Sequence, residues 1–299
     1  MKRIAQLANQ ATRRCHWVAQ SYLKAFAADA DRKRIWRLSK SRGEPELRLI
    51  EKVAVKFHLY APRGQDGRRN DAMEKQLADL ENWFGEPAWR MVCDGFPDFS
   101  WEPLRKMVAL LAAITWLRTP RQFEHWKAFH RQFAEFFSQA ETLPSAISIG
   151  EHRVELDHSE WSAFRDAAEE DMKRSWNDWL GGASEIAKLF LEMRWAIVVS
   201  EAPVFITSDN PLLVGDTIGP YRGLRHPQTI VTFPLSPTRV LMMDHRYHEP
   251  DAQFYSLKHD PASTNMLIWR NAIEYMFSPR DPREVCSEII ADAERMGAA

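Results

Sequence analysis

The chain has 299 residues, of which 45% are hydrophobic and 11% aromatic, enough to build a substantial core and too much for a disordered chain. Its net charge of -1 hides an uneven distribution, because residues 1–48 hold twelve Lys or Arg against four acids, an excess that suits either a solvated face or an anion-facing surface. No uncharged apolar run reaches membrane-spanning length, the start MKRIAQLANQATRRC lacks the apolar stretch of a secretory signal, and Cys15, Cys93 and Cys286 are too few and scattered for a disulfide framework or a CxxC zinc site, so the expectation is a cytoplasmic protein with reduced thiols.

Residues 16–28, HWVAQSYLKAFAA, space Val18, Tyr22, Leu23 and Phe26 as one apolar helix face. RKRIWRLSK follows as a strand at a sheet edge, with its basic residues guarding the edge. VAVKFHLYAP, residues 53–62, carries strand-forming residues, and RGQDGRRND after it is a turn-rich loop. From Asp71 to about Leu191 apolar residues recur every three or four positions, through Leu77, Leu80 and Phe84, the run LRKMVALLAAITWL, the stripe Phe123 to Phe136, and Trp161 to Trp179. This predicts a helical bundle. Its last helix is expected to start near Ser159 and stop at Gly181-Gly182, while Pro120 begins or interrupts a helix.

After Met193 the pattern changes to strands, in RWAIVVS, PVFITS, QTIVTFPLS and RVLMMDH, with connections short enough to favour antiparallel pairing. The prolines of Pro234-Leu235-Ser236-Pro237 are expected to end a strand. Helices over 263–277 and 283–296 close the chain. The fold class is therefore α+β, a central helical bundle packed on a mostly antiparallel sheet. One domain is expected: residues 1–62 supply a helix and strands that join the C-terminal sheet, 71–192 form the bundle, and 193–299 form the sheet and C-terminal helices.

Taken in order, CHWVAQSYLKAF, RKRIWRLSK, VAVKFHLY, DAMEKQLADLE, LRTPRQ, FITSDNPLL and TFPLSP make a series. It resembles a bacterial family catalogued as a domain of unknown function, number 4238, over roughly residues 15–278. Members of that family carry a His-x-Val-Pro-Gln-x-Tyr-Leu type motif near the start, and Thr-Ser-Asp-Asn-Pro followed by Pro-Leu-Ser-Pro near the end. Ala19 stands here where the family tends to have proline. The resemblance implies a bacterial protein and brings no activity, so function has to be argued from residues.

The candidate site residues are His16, Gln20, Glu74, Glu81, Arg118 and Asp209. His16 offers an imidazole as base, ligand or phosphate contact, and Gln20 lies one helical turn away to orient it. Glu74 and Glu81, seven residues apart, return to one helix face and with Asp209 form a candidate set for a divalent cation; the alternative is a solvated helix face. Arg118 either clamps a phosphate or pairs with one of these acids. Thr207-Ser208-Asp209-Asn210 before Pro211 suits a structural turn, since Ser and Asp bond their own backbone there, or else presents Asp209 for chemistry. There is no GxGxxG, GxxxxGK[ST], HExxH or GxSxG motif. Two functions follow. One is a metal-assisted hydrolase acting on a phosphodiester or nucleic-acid substrate. The other is a non-catalytic module that binds nucleic acid or protein, for example within a defence or toxin-like system. Candidate partners are a nucleic acid or a phosphorylated ligand, with no membrane involved.

Overall fold

A computed structural model describes residues 14–297 apart from 65, 140–143, 150–151, 156, 217–220 and 259. The chain opens with β1 (Arg14–His16) and α1 (Gln20–Leu23), which a 3-10 turn extends to Phe26. His16 thus ends a strand instead of starting a helix. The reason is local: β1 pairs with the later strand, and the Trp17 amide donates to the Ala54 carbonyl at 3.0 Å, which holds residues 14–17 extended. The hairpin β2 (Arg34–Ser39) and β3 (Pro45–Leu49) follows, then β4 (Val55–Phe57), the antiparallel partner of β1.

The helical region contains α2 (Ala72–Glu81), α3 (Pro87–Asp94), α4 (Glu102–Leu117) and α5 (Pro120–Ser138). A short antiparallel hairpin, β5 (Ala146–Ile149) and β6 (His152–Glu155), interrupts it before α6 (Trp161–Arg165), α7 (Glu169–Gly181) and α8 (Ala183–Glu192). Pro120 begins α5, where its missing N–H costs nothing, and the Thr119 hydroxyl accepts from the Gln122 amide as N-cap. The helix expected from Ser159 is two helices, broken after Arg165. α4 is apolar around most of its circumference, from Leu104 through Val108, Leu111 and Ile114 to Leu117, and it packs along α8 in the centre of the core.

The C-terminal part supplies β7 (Arg194–Val199), β8 (Thr207–Ser208), β9 (Leu213–Asp216), β10 (Thr229–Ser236), β11 (Arg239–Asp244) and β12 (Gln253–Ser256). α9 (Ala262–Asn271), β13 (Tyr275–Ser278) and α10 (Pro282–Gly297) complete it. One sheet runs β12-β7-β11-β10-β9, antiparallel except for the β12–β7 pair. Another runs β3-β2-β13-β8. The N-terminal hairpin therefore does join C-terminal strands, with β2 as an inner strand and β3 at the edge. The helix expected over 263–277 stops at Asn271, because the next residues are drawn into β13 and into hydrogen bonds with the β8 loop. Pro234 lies inside β10. β9 pairs only as far as Thr232, so the side of β10 that lacks a proline N–H is already free of the ladder, and a bulge follows between Pro234 and Ser236. The architecture is α+β. Among the described residues no helix is long and apolar enough to cross a membrane.

Candidate functional site

Five of the six candidate residues meet where β1, α1, α2 and the α4–α5 junction touch. Arg118 stands between the end of α4 and Thr119, only 2% exposed. Its guanidinium donates to the His16 carbonyl and pairs with Glu81 Oε1 at 2.7 Å, while its own carbonyl accepts from the Tyr60 hydroxyl at 2.5 Å. The pairing with an acid that the sequence left open is made with Glu81. A guanidinium buried this way holds the β1 backbone against the bundle and is closed to a substrate phosphate.

His16 is half-buried and has a partner at each ring nitrogen. Nε2 donates to the Glu51 carbonyl at 3.1 Å, which leaves Nδ1 to accept from the Gln20 amide at 3.4 Å. Burial pushes its pKa down, and the charges of Arg14 and Arg118 add to that, so the ring is neutral at pH 7. Gln20 thus orients His16 as the one-turn spacing suggests.

Glu74 is the group under most tension. Its Oε2 is buried with no hydrogen-bond partner, and the Cys15 thiol is in hydrogen-bonding contact with the carboxyl. Burial pushes the Glu74 carboxyl up to about 7, against the field of Arg118 and with the repulsion of Glu81 and Asp71 added. Cys15 is fully buried and its thiol is likewise raised by burial, which makes it a poor nucleophile.

Asp209 does not join this cluster. Its carboxylate is 1% exposed and accepts the amides of Ile273 at 2.8 Å and Glu274 at 2.9 Å, one on each oxygen, and its own amide donates to the Tyr275 carbonyl at 3.0 Å. Burial raises its pKa to about 6, opposed by the backbone amides of Glu274, Ile273 and Tyr275. The rest of the motif works the same way. The Ser208 hydroxyl accepts the Asn210 amide at 3.2 Å, and the Asn210 and Asn271 side chains each donate to the other's backbone carbonyl at 3.0 and 2.9 Å. Thr207-Ser208-Asp209-Asn210 is a clasp that fastens β8 to the end of α9 and the start of β13.

With Asp209 spent, the carboxylate trio expected to share a cation is not assembled. Among the described residues no group of three or more His, Cys, Asp or Glu is placed to hold a metal ion. Arg121 is likewise structural, donating to Asn271 Oδ1 and the Ala272 carbonyl at 3.2 Å each, at the C-terminus of α9.

What the residue-by-residue reading missed is how the motifs meet one another. Trp17 donates its indole N–H to the Asp209 carbonyl at 2.8 Å. The fully buried Tyr22 hydroxyl donates to the Pro234 carbonyl at 2.8 Å and accepts from Thr207 Oγ1 at 2.8 Å. Ser236 donates to the Cys93 carbonyl at 2.8 Å. CHWVAQSYL, LRTPRQ, TSDNP and PLSP are therefore parts of one polar joint. The available signal was weak: Trp17 and Tyr22 read as apolar helix-face residues, and nothing in the spacing links them to positions 190 residues away. Neither a curated protein nor a solved structure matches this chain. A family model described as a protein of unknown function, DUF4238, matches residues 14–281, the span over which these joint-forming motifs are distributed, and the chain belongs to that family.

Proposed function

We propose that this chain is a recognition module for a phosphorylated ligand, nucleic acid included, and that its motif residues build the joint behind the recognition surface. The observation that carries the reading is the state of the basic residues. Arg14, Lys24, Arg32, Arg34, Arg42, Lys52 and Lys56 are exposed, and among the described residues none has a carboxylate within 4.0 Å. A merely solvated face commonly scatters acids among its cations, as Glu46 does here for Arg37 and Arg48. Seven unpaired cations in one N-terminal lobe supply the sequence-independent term of phosphate binding. Lys2, Arg3 and Arg13 belong to the same basic segment and lie outside the described residues. The test is the affinity of the full chain for a single-stranded oligonucleotide across a salt series. The expected plot of log affinity against log salt falls with a slope steeper than about -3, corresponding to several neutralised phosphates. A protein that binds neither an oligonucleotide nor a small phosphate ester at low salt overturns the reading.

Hydrolysis of a phosphodiester is supported by one observation, the Glu74 carboxyl. A half-buried acid pushed up to about 7, with one oxygen buried and unpartnered, suits proton transfer at neutral pH. In that reading Glu74 moves the proton, Glu81 and Arg118 fix the local field, His16 and Gln20 stand beside them, and a divalent cation has to find ligands beyond the described carboxylates. Asp209 takes no part, since both its oxygens hold amides.

A further inference from the structure

A cleft of about 420 Å³ opens between the helical turn over residues 20–26 and the segment 82–94. Its size is in the range of a small-molecule site. Three cations line it, Lys24, Arg32 and Arg90, against one acid, Asp94. Among the described residues none of the three has a carboxylate within salt-bridge distance, so the cleft carries uncompensated positive charge.

The walls are fixed before any ligand arrives. Arg32 sits in the left-handed region at φ 54°, a conformation costly for a long side chain. A tight turn pays that cost: the Arg32 amide donates to the Asp29 carbonyl, and the Asp29 carboxylate accepts the amides of Lys33 and Arg34 at 2.9 and 2.8 Å. Arg32 Nε then donates to the Lys24 carbonyl at 2.9 Å, which leaves the other face of its guanidinium for a ligand. Behind the cations stand Phe84 and Trp89, packed edge to face at 4.7 Å between centroids. Trp89 is 2% exposed, and its indole N–H has no hydrogen-bond partner.

We infer that this cleft is a binding site for a phosphate monoester of about mononucleotide size, the phosphate held by Lys24, Arg32 and Arg90. The inference rests on the recognition reading above and names its ligand class. A phosphate monoester carries nearly two negative charges at pH 7, close to the net charge of the lining, and the planar guanidinium forks match its oxygens. A triphosphate brings more charge than three cations and one acid balance, and an apolar ligand leaves all four charges unpaired. The cleft also adjoins the polar cluster, because Ser21 lines it and donates to the Glu81 carbonyl at 2.9 Å, so the joint holds one of its walls.

The phosphate can belong to a free small ester or to the end of a nucleic-acid strand, and titration calorimetry with the full chain separates the two. The probes are ribose 5-phosphate, ribose, and pentathymidylate with and without a 5′-phosphate. The expected result is that at least one phosphorylated probe binds about tenfold or more tightly than its unphosphorylated counterpart. Lys24→Ala with Arg90→Ala, both exposed side chains, is expected to erase that difference, while Lys188→Ala on α8 keeps it. If only the strand responds, the site takes a strand end; if ribose 5-phosphate responds, it takes a free ester; both outcomes support the site. A wild-type chain that ignores the phosphate of both probes, or a double variant that keeps the preference, overturns it. Salt-dependent binding of pentathymidylate regardless of its end, with no preference for ribose 5-phosphate over ribose, overturns the cleft and leaves the recognition reading standing, whereas absence of all binding overturns both.

Discussion

Asparagine at position 209 would replace one carboxylate oxygen by a donor and set that donor against the amide of Ile273 or Glu274. A buried N–H then loses its acceptor, so Asp209→Asn is expected to lower unfolding stability by about 1–3 kcal/mol, read by urea denaturation. An unchanged stability would return Asp209 to the list of candidate catalytic groups. Glu74 makes a prediction of the opposite kind. Its carboxyl in the folded chain lies near 7, above the usual 4.5, so the folded state holds the proton more tightly than the unfolded one. That contribution is complete below about pH 4.5 and is lost as the pH rises through about 7. The melting temperature of wild type relative to Glu74→Gln should therefore fall steadily from pH 5 to pH 8; a constant difference contradicts the strained-acid account. The same variant separates the two functional readings. Recognition predicts that Glu74→Gln binds oligonucleotide as wild type does, and hydrolysis predicts that a phosphodiesterase activity present in wild type disappears.

Among the elements, α1 is too short to be stable alone, at four residues with no side-chain cap. Tertiary contacts hold it, chiefly Tyr22, whose ring stacks on Phe233 at 5.5 Å and whose hydroxyl ties β8 to β10. Tyr22→Phe keeps the stacking and removes both hydrogen bonds, leaving the Pro234 carbonyl without its donor. The expected cost is about 1–3 kcal/mol, and a double-mutant cycle with Thr207→Val should show coupling of about 0.5–3 kcal/mol. Additive effects would mean that the two motifs fold independently. Legibility also varied by element. α4 and α5 were readable because each keeps a helical period of apolar residues for more than three turns and Pro120 marks the boundary. The β5–β6 hairpin was not, since two strands of four residues carry too little pattern within helical surroundings. β13 was hidden for a different reason. Met276 and Phe277 continue the apolar spacing of α9, and only the Asp209 bonds to residues 273 and 274 show that the helix has ended. Motif order flagged the five candidate residues that lie together, but whether Asp209 faced them depended on a clasp partner 64 residues further along the chain.

Across the whole molecule, the N-terminal and C-terminal segments share a sheet through β2 and β13, and the bundle between them is tied to strand β1 through Arg118. Among the described residues the N-terminal lobe holds seven exposed cations without a carboxylate partner and Arg90 of α3 stands beside them, while α4 and α8 carry internal pairs on their outer faces, Lys106 with Glu102 and Lys188 with Glu185. In the proposed reading, ligand chemistry is separated from the joint that supports it. Hydrogen–deuterium exchange of the full chain, with and without a 5′-phosphorylated oligonucleotide, tests that separation most directly. The account predicts new protection in peptides covering residues 21–32 and 84–94, with 74–80 and 115–121 unchanged; protection confined to 74–80 and 115–121 would contradict it and place the ligand on the acid cluster.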